Sequence, residues 1–248
     1  MILVAFGTRP EIIKLFPVIH ALNQRGLEYR TVFTGQQIDL YEDVKDLVPE
    51  PHFTFADFFS GKQKHNTLGG SFIKICNAAE KLFLENRFDI VVVQGDTTTA
   101  CALAQMAFFN GIKVAHVEAG LRTFDLANPY PEEFNRVLIS RLAAIHFAPT
   151  NQALLNLQKE NLVNAYLVGN TIVDAVNFFK AKMIDCAVAT RKVLVTLHRR
   201  ENHLHMPKLF DQLQCLASEN PDLEIILPIH PNPNVQKHRQ RLSAANVQ

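Results

Sequence analysis

The hydrophobic positions of this chain fall into short runs separated by stretches with helical spacing. Runs at 2–6, 29–33, 89–93, 113–117, 144–147 and 165–168 are short and largely apolar, which predicts strands. Between them, near 10–25, 68–86, 98–110, 132–142 and 151–160, apolar residues recur every three or four positions, which predicts amphipathic helices. The segment 98–110 is Ala-rich and apolar on most sides, as a helix packed on a sheet would be. Strand and helix alternate, so the expected fold is α/β, with a parallel sheet covered on both faces. After Gly169-Asn170, a helix near 171–183 and a polar stretch at 184–191, the alternation restarts. A strand at 192–197, a helix at 205–219, a strand at 223–227 and a helix at 233–245 follow. A first α/β domain is therefore placed at 1–169 and the start of a second at 170–248. Two strands and two or three helices cannot bury both faces of a doubly wound sheet. The second domain is expected to be incomplete, and the chain truncated.

Composition narrows the class. The 248 residues are 48% hydrophobic and 20% charged, with a net charge of +1, which is ordinary for a soluble globular chain. No basic stripe or like-charge block stands out, which argues against a nucleic-acid or membrane partner. No apolar run approaches the roughly 18 residues that would span a bilayer. The first strand is too short for the core of a signal peptide. Cys76, Cys101, Cys186 and Cys215 are far apart with no Cys-x-x-Cys pair, as expected of free thiols in a reducing cytoplasm.

The chemistry concentrates where strands end. Strand 113–117 runs straight into Glu118, followed by Gly120 and Arg122, and Glu132 and Glu133 then open a helix. Ligands of open parallel sheets bind just outside the carboxyl ends of the strands. Gln94-Gly95-Asp96-Thr97 follows the third strand, where Asp96 either caps the next helix or faces a crevice. For Glu118 the main structural alternative is an ion pair with Arg122. One of Glu132 and Glu133 is expected to complement a helix dipole and the other to face the crevice. Three carboxylates in one low-dielectric site would split their protonation, so that one works as a base while another stays an acid. Phe6-Gly-Thr-Arg-Pro-Glu11, with Lys14 one turn on, offers a helix start with free N–H groups, Arg9 and Lys14 to a phosphate. His198, beside Arg199 and Arg200, ends the first strand of the second domain, and His230 ends the next. His203 and His205 lack a third ligand in register for a metal.

At these residues the sequence resembles the non-hydrolysing UDP-N-acetylglucosamine 2-epimerases. The matching runs are Phe6-Gly-Thr-Arg-Pro-Glu11, Gly95-Asp-Thr-Thr-Thr99, His116-Val-Glu-Ala-Gly-Leu-Arg122, Pro131-Glu-Glu133, Asn135-Arg136, Gly169-Asn-Thr171, His198-Arg-Arg-Glu-Asn202 and His230-Pro-Asn-Pro-Asn-Val235. They run in order through nearly the whole chain. The resemblance implies a GT-B fold of two Rossmann-like domains with parallel sheets, a homodimer, and chemistry without metal or nicotinamide cofactor. It implies interconversion of UDP-GlcNAc and UDP-ManNAc by elimination of UDP to 2-acetamidoglucal and its re-addition, for polysaccharide precursors. It places acid–base catalysis on Asp96, Glu118, Glu132 and His198. It places binding of the substrate or its diphosphate on Arg9, Lys14, Arg136, Arg199 and His230, and part of an activator site on Gln36 and Gln37.

The sequence also departs from the family pattern. Leu197 stands where the family has Gly, Gln36-Gln37 where it has Gln-His, and Lys74 where an arginine is expected. The Ser-Gly-Gly…Glu-Glu segment that holds uridine in the family has no counterpart here, nor does a C-terminal helix that crosses back over the first domain. The competing expectations are an epimerase of a related UDP-diacetamido sugar, a retaining glycosyltransferase of the same fold, and a non-catalytic remnant that binds a sugar nucleotide.

Overall fold

The computed structural model describes residues 1–36, 44–55, 67–180, 191–197, 204–229 and 233–248. They form two compact units, Met1–Met183 and Ile184–Gln248.

The first unit is a seven-stranded sheet. Its strands are β1 (Ile2–Phe6), β2 (Tyr29–Phe33), β3 (Phe53–Thr54), β4 (Ile90–Gln94), β5 (Lys113–Val117), β6 (Ile145–Ala148) and β7 (Ala165–Leu167). Their order is β3-β2-β1-β4-β5-β6-β7, and every pair is parallel. Helices α1 (Arg9–Gln24), α2 (Leu68–Glu85), α3 (Thr98–Phe109), α4 (Glu132–Leu142), α5 (Asn151–Lys159) and α6 (Thr171–Lys180) connect or flank the strands. Successive side chains on a strand point to opposite faces, and both faces are buried here. Leu3, Ala5, Val91, Val93 and Val114 therefore pack with α2 and α3, while Val4, Phe6, Val92, Ala115 and Val117 pack with α1. Chain connections run from β1 toward β2 on one side and, from β4 onward, toward β5 on the other. The switch point lies between β1 and β4, where such sheets open a crevice.

The expected strands and helices of this unit are present, with two differences. The two-residue edge strand β3 is additional, because so short a piece carries no alternation. Helix α6 belongs to the first unit rather than beginning the second, since Phe178 packs edge-on against Phe16 of α1 with ring centroids 5.1 Å apart. The divide thus falls after residue 183 instead of after 169.

The second unit pairs β8 (Arg191–Leu194) and β9 (Leu223–Ile226) in parallel. Helix α7 (Met206–Glu219) contributes Met206, Phe210 and Leu213 to a small core with Leu223, Ile225 and Leu227. The helix expected at 233–245 is instead the short α8 (Pro233–Gln236) and a 3-10 turn at Arg239–Arg241. The chain then extends, and Val247 bridges to Ile225.

Gly120 is fixed by its surroundings. Its φ of +88° is disfavoured for any side chain, and an added Cβ would collide with the backbone carbonyl of Ala153. Gly120→Ala is expected to destabilise the protein by about 3 kcal/mol, read as a lower urea midpoint at unchanged m-value.

Candidate active site

Three neighbouring strands at the switch point end in the residues that line one cleft of about 490 Å³. The turn after β1 supplies Thr8 and the first turn of α1 Pro10, the turn after β4 supplies Asp96 and Thr97, and β5 delivers Glu118. Lys14 and Glu11 of α1, Gln36, and Glu132 and Asn135 of α4 complete much of the wall. The structure thus brings together Asp96, Glu118, Glu132, Lys14 and Gln36 among the expected site residues. Arg9 opens α1 beside them, and Arg136 reaches Asp96. His198, Arg199, His230 and Gln37 lie outside the described residues.

Glu118 sits at φ +65°. This left-handed conformation costs a residue with a Cβ on the order of 1–3 kcal/mol and persists only where the surroundings enforce it. Here the carboxylate is held on both oxygens. Lys14 Nζ stands 2.5 Å from Oε2, and the Gln94 amide donates to the same oxygen. Asn170 Nδ2 donates to Oε1 at 3.0 Å. The alternative partner, Arg122, goes elsewhere: its buried guanidinium binds Glu160 at 2.6 Å, Ser140 and its neighbour's carbonyl.

Asp96 is not the helix cap. Thr97 accepts from Ala100 N at the start of α3, which leaves Asp96 to the cleft. Asp96 Oδ2 lies 2.5 Å from Arg136 Nη2, and Asn135 Nδ2 donates to the Asp96 carbonyl at 2.8 Å. Burial raises the Asp96 carboxyl above its ordinary range, and the negative charges of Glu132 and Glu118 add to that. Arg136 pulls it back down. The carboxylates therefore feel one another, as shared occupancy of one low-dielectric site requires.

The two glutamates of α4 divide as the sequence leaves open. Glu133 is fully buried and structural, because its Oε1 accepts from the N–H groups of Thr123 and Phe124, both at 3.0 Å. Glu132 lines the cleft, and its Oε2 is buried with no hydrogen-bond partner among the described residues. That oxygen is available to a ligand's donor.

The helix start at Gly7 and Thr8 corrects one expectation. Their N–H groups are not open to a phosphate, since both donate to Glu11 Oε2, at 3.0 and 2.8 Å. This is a capping box, with Thr8 as N-cap and Glu11 three residues on. Thr97 Oγ1 donates to the other oxygen at 2.7 Å, so Glu11 ties the turn after β1 to the turn after β4. Complete burial pushes the Glu11 carboxyl up to about 7, against the donors that hold it. Gly7 is needed for close approach rather than for a turn, because a Cβ there would collide with the hydroxyls of Thr34 and Thr99. Gln36 accepts from Thr99 N at 3.0 Å and so is bound to the N-terminus of α3. Beneath the site, His116 Nε2 hydrogen-bonds the Gly95 carbonyl at 2.8 Å, and burial lowers its imidazole to about 3. It stays neutral and, as the donor, holds the turn that carries Asp96.

Sequence reasoning gives Glu11 and Asn170 no role, although both lie in the runs it singles out. The spacing Thr8-x-x-Glu11 is a legible cap signal. Nothing local in the sequence signals that Asn170 reaches Glu118.

The family model for UDP-N-acetylglucosamine 2-epimerase matches residues 20–247. The UDP-N-acetylglucosamine 2-epimerase of Campylobacter jejuni is 37% identical over 260 residues, covering 95% of this chain and 66% of that protein. The crystal structure of UDP-GlcNAc 2-epimerase from Neisseria meningitidis bound to UDP-GlcNAc is similar with a TM-score of 0.90 at 33% identity, covering 100% of this chain and 71% of that one. The Methanocaldococcus jannaschii UDP-GlcNAc 2-epimerase in complex with UDP-GlcNAc and UDP gives a TM-score of 0.76 at 33% identity, covering 100% of this chain and 72% of that one. The chain spans 63 to 66% of the length of three curated relatives that it matches. It belongs to the UDP-N-acetylglucosamine 2-epimerase family, and its parallel-sheet α/β architecture is that of the GT-B fold.

Proposed function

We propose that this chain carries the acid–base half of an enzyme that interconverts UDP-GlcNAc and UDP-ManNAc. The observation that supports this most is the convergence of Asp96, Glu118 and Glu132 on one cleft at the switch point. In the proposed reaction a carboxylate takes the proton from C2 of the sugar. The C1–oxygen bond to the diphosphate breaks as the C1–C2 double bond forms, giving 2-acetamidoglucal and UDP. A proton then returns to C2 on the opposite face while the diphosphate oxygen re-forms its bond to C1. The C2 proton is poorly acidic, so positioned acid–base groups and cations for the departing diphosphate must share the barrier. Glu118, held on both oxygens at the end of β5, is positioned to meet the sugar. Glu132, whose Oε2 has no hydrogen-bond partner among the described residues, suits contact with the sugar.

Arg9, Lys14 and Arg136 supply positive charge on this unit, and the same reading assigns His198, Arg199 and His230 to the substrate. Gln36 and Gln37 are assigned to an activator subsite. The reading extends to a homodimer, with product for polysaccharide precursors made in the cytoplasm. Support for the dimer is an apolar groove of about 550 Å³ lined by Leu68, Phe72, Ile73, Tyr130, Phe134 and Leu138. Among the described residues no helix is long and apolar enough to cross a membrane.

The test is proton NMR of UDP-GlcNAc in deuterated buffer with this chain. Deuterium at C2 and a growing N-acetylmannosamine signal are expected without any acceptor substrate. A folded sample that incorporates no deuterium overturns the reading.

A further inference from the structure

We propose that Asn170 is a positioning residue that orients Glu118 for proton transfer. Asn170 stands between β7 and α6, far from Glu118 in sequence, yet its side chain makes two fixed contacts. Its Oδ1 accepts from Ile172 N at 3.0 Å in the first turn of α6. That bond leaves Nδ2 as the group turned toward the cleft, where it donates to Glu118 Oε1 at 3.0 Å. Lys14 and Gln94 both engage the other oxygen, Oε2. Asn170 thus grips the oxygen that those two leave, and it fixes the carboxylate's rotation about its own axis. The left-handed backbone conformation of Glu118 persists only where surrounding contacts such as this one enforce it. The inference rests on the acid–base role proposed for Glu118.

The charged groups around Glu118 are Lys14 and Glu11 from α1, Asp96 after β4, and Glu132 and Arg136 from α4. Asn170 is neutral, so its amide adds a donor to Oε1 without altering this balance of charge. Asn170→Asp removes the donor and adds a negative charge beside Glu118, whereas Asn170→Ser removes the donor alone, its hydroxyl still able to accept from Ile172 N. Aspartate keeps the acceptor for Ile172 N but sets a second carboxylate against Glu118.

N170D is expected to lower kcat at least about tenfold with KM changed less than about threefold. It is also expected to move the acid limb of the kcat/KM–pH profile up by about one pH unit. The added charge by itself moves that limb, so the neutral N170S is read beside it: N170S is expected to lower kcat at least about tenfold with KM little changed, where a merely structural asparagine would leave kcat within about threefold of wild type. A thermal-stability cycle with E118Q supplies a measure that needs no turnover. N170D should lower Tm at neutral pH, and adding E118Q should recover most of the loss, because the amide that E118Q introduces can donate to the new carboxylate. Additive Tm changes, an unmoved acid limb in N170D, or a kcat in N170S within about threefold of wild type overturns the inference. Should the wild-type chain incorporate no deuterium at C2, the proposed function falls by itself. The thermal cycle then decides the Asn170–Glu118 link alone, with non-additive changes supporting it and additive ones overturning it.

Discussion

Glu118→Gln is expected to reduce C2 deuterium exchange by at least about a hundredfold while leaving the fold intact. The amide fills the same volume, so the fold is kept, but only one of its two ends can accept, and either Asn170 or the Lys14 and Gln94 pair loses its acceptor. It cannot take a proton at C2, and it leaves Lys14 facing a neutral group in place of the anion 2.5 Å away. Asp96→Asn should behave alike in turnover, since its amide cannot exchange a proton and it also replaces the ion pair with Arg136 by a neutral contact. The measurement is the rate of deuterium incorporation by NMR, with circular dichroism to confirm folding. Exchange within about threefold of wild type in both variants would remove these carboxylates from the chemistry.

The second large effect concerns stability and pH. Glu11 is buried, and its carboxyl is displaced from 4.5 to about 7 in the folded protein. The folded state therefore holds its proton where the unfolded chain has released it. That preference is worth about 3 kcal/mol. Its sign follows from which state binds the proton more tightly. The contribution is fully present below pH 4.5 and is lost as pH rises to about 7. Glu11→Gln cannot titrate, so its stability should fall about 3 kcal/mol less than that of wild type as pH rises from 4.5 to about 7. Urea unfolding of both proteins across this range gives the difference, and other ionisable groups cancel in the comparison. Parallel curves would show that Glu11 does not titrate in the window.

The central strands are legible in the sequence because burial on both faces leaves continuous apolar runs, as in Ile90–Gln94 and Lys113–Val117. The location of the cleft follows from the same fact, since Glu118 and the Asp96 turn must emerge at strand ends. Partners are less legible. Arg122 lies four residues from Glu118, but the backbone turn at Glu118 and the packing of α5 carry it to Glu160 instead. The cap of α3 falls on Thr97 rather than on Asp96, a one-residue shift that spacing alone does not resolve. The helix at Pro233–Gln236 is shorter than its apolar spacing suggests, because residues 237–245 run through turns and the 3-10 turn at Arg239–Arg241 before Val247 bridges to β9. Asn170 is hidden for the plainest reason: a contact across 52 residues leaves no local pattern.

The strand order has a consequence for how this site can move. Asp96 and Glu118 leave the ends of β4 and β5, which hydrogen-bond to each other in the middle of a seven-stranded sheet. Interior strands open only with the unit as a whole, so the cleft floor shares the stability of the entire sheet and has no local melting of its own. Any opening and closing that turnover requires must then fall to groups outside that floor, while the carboxylates act as a fixed anvil.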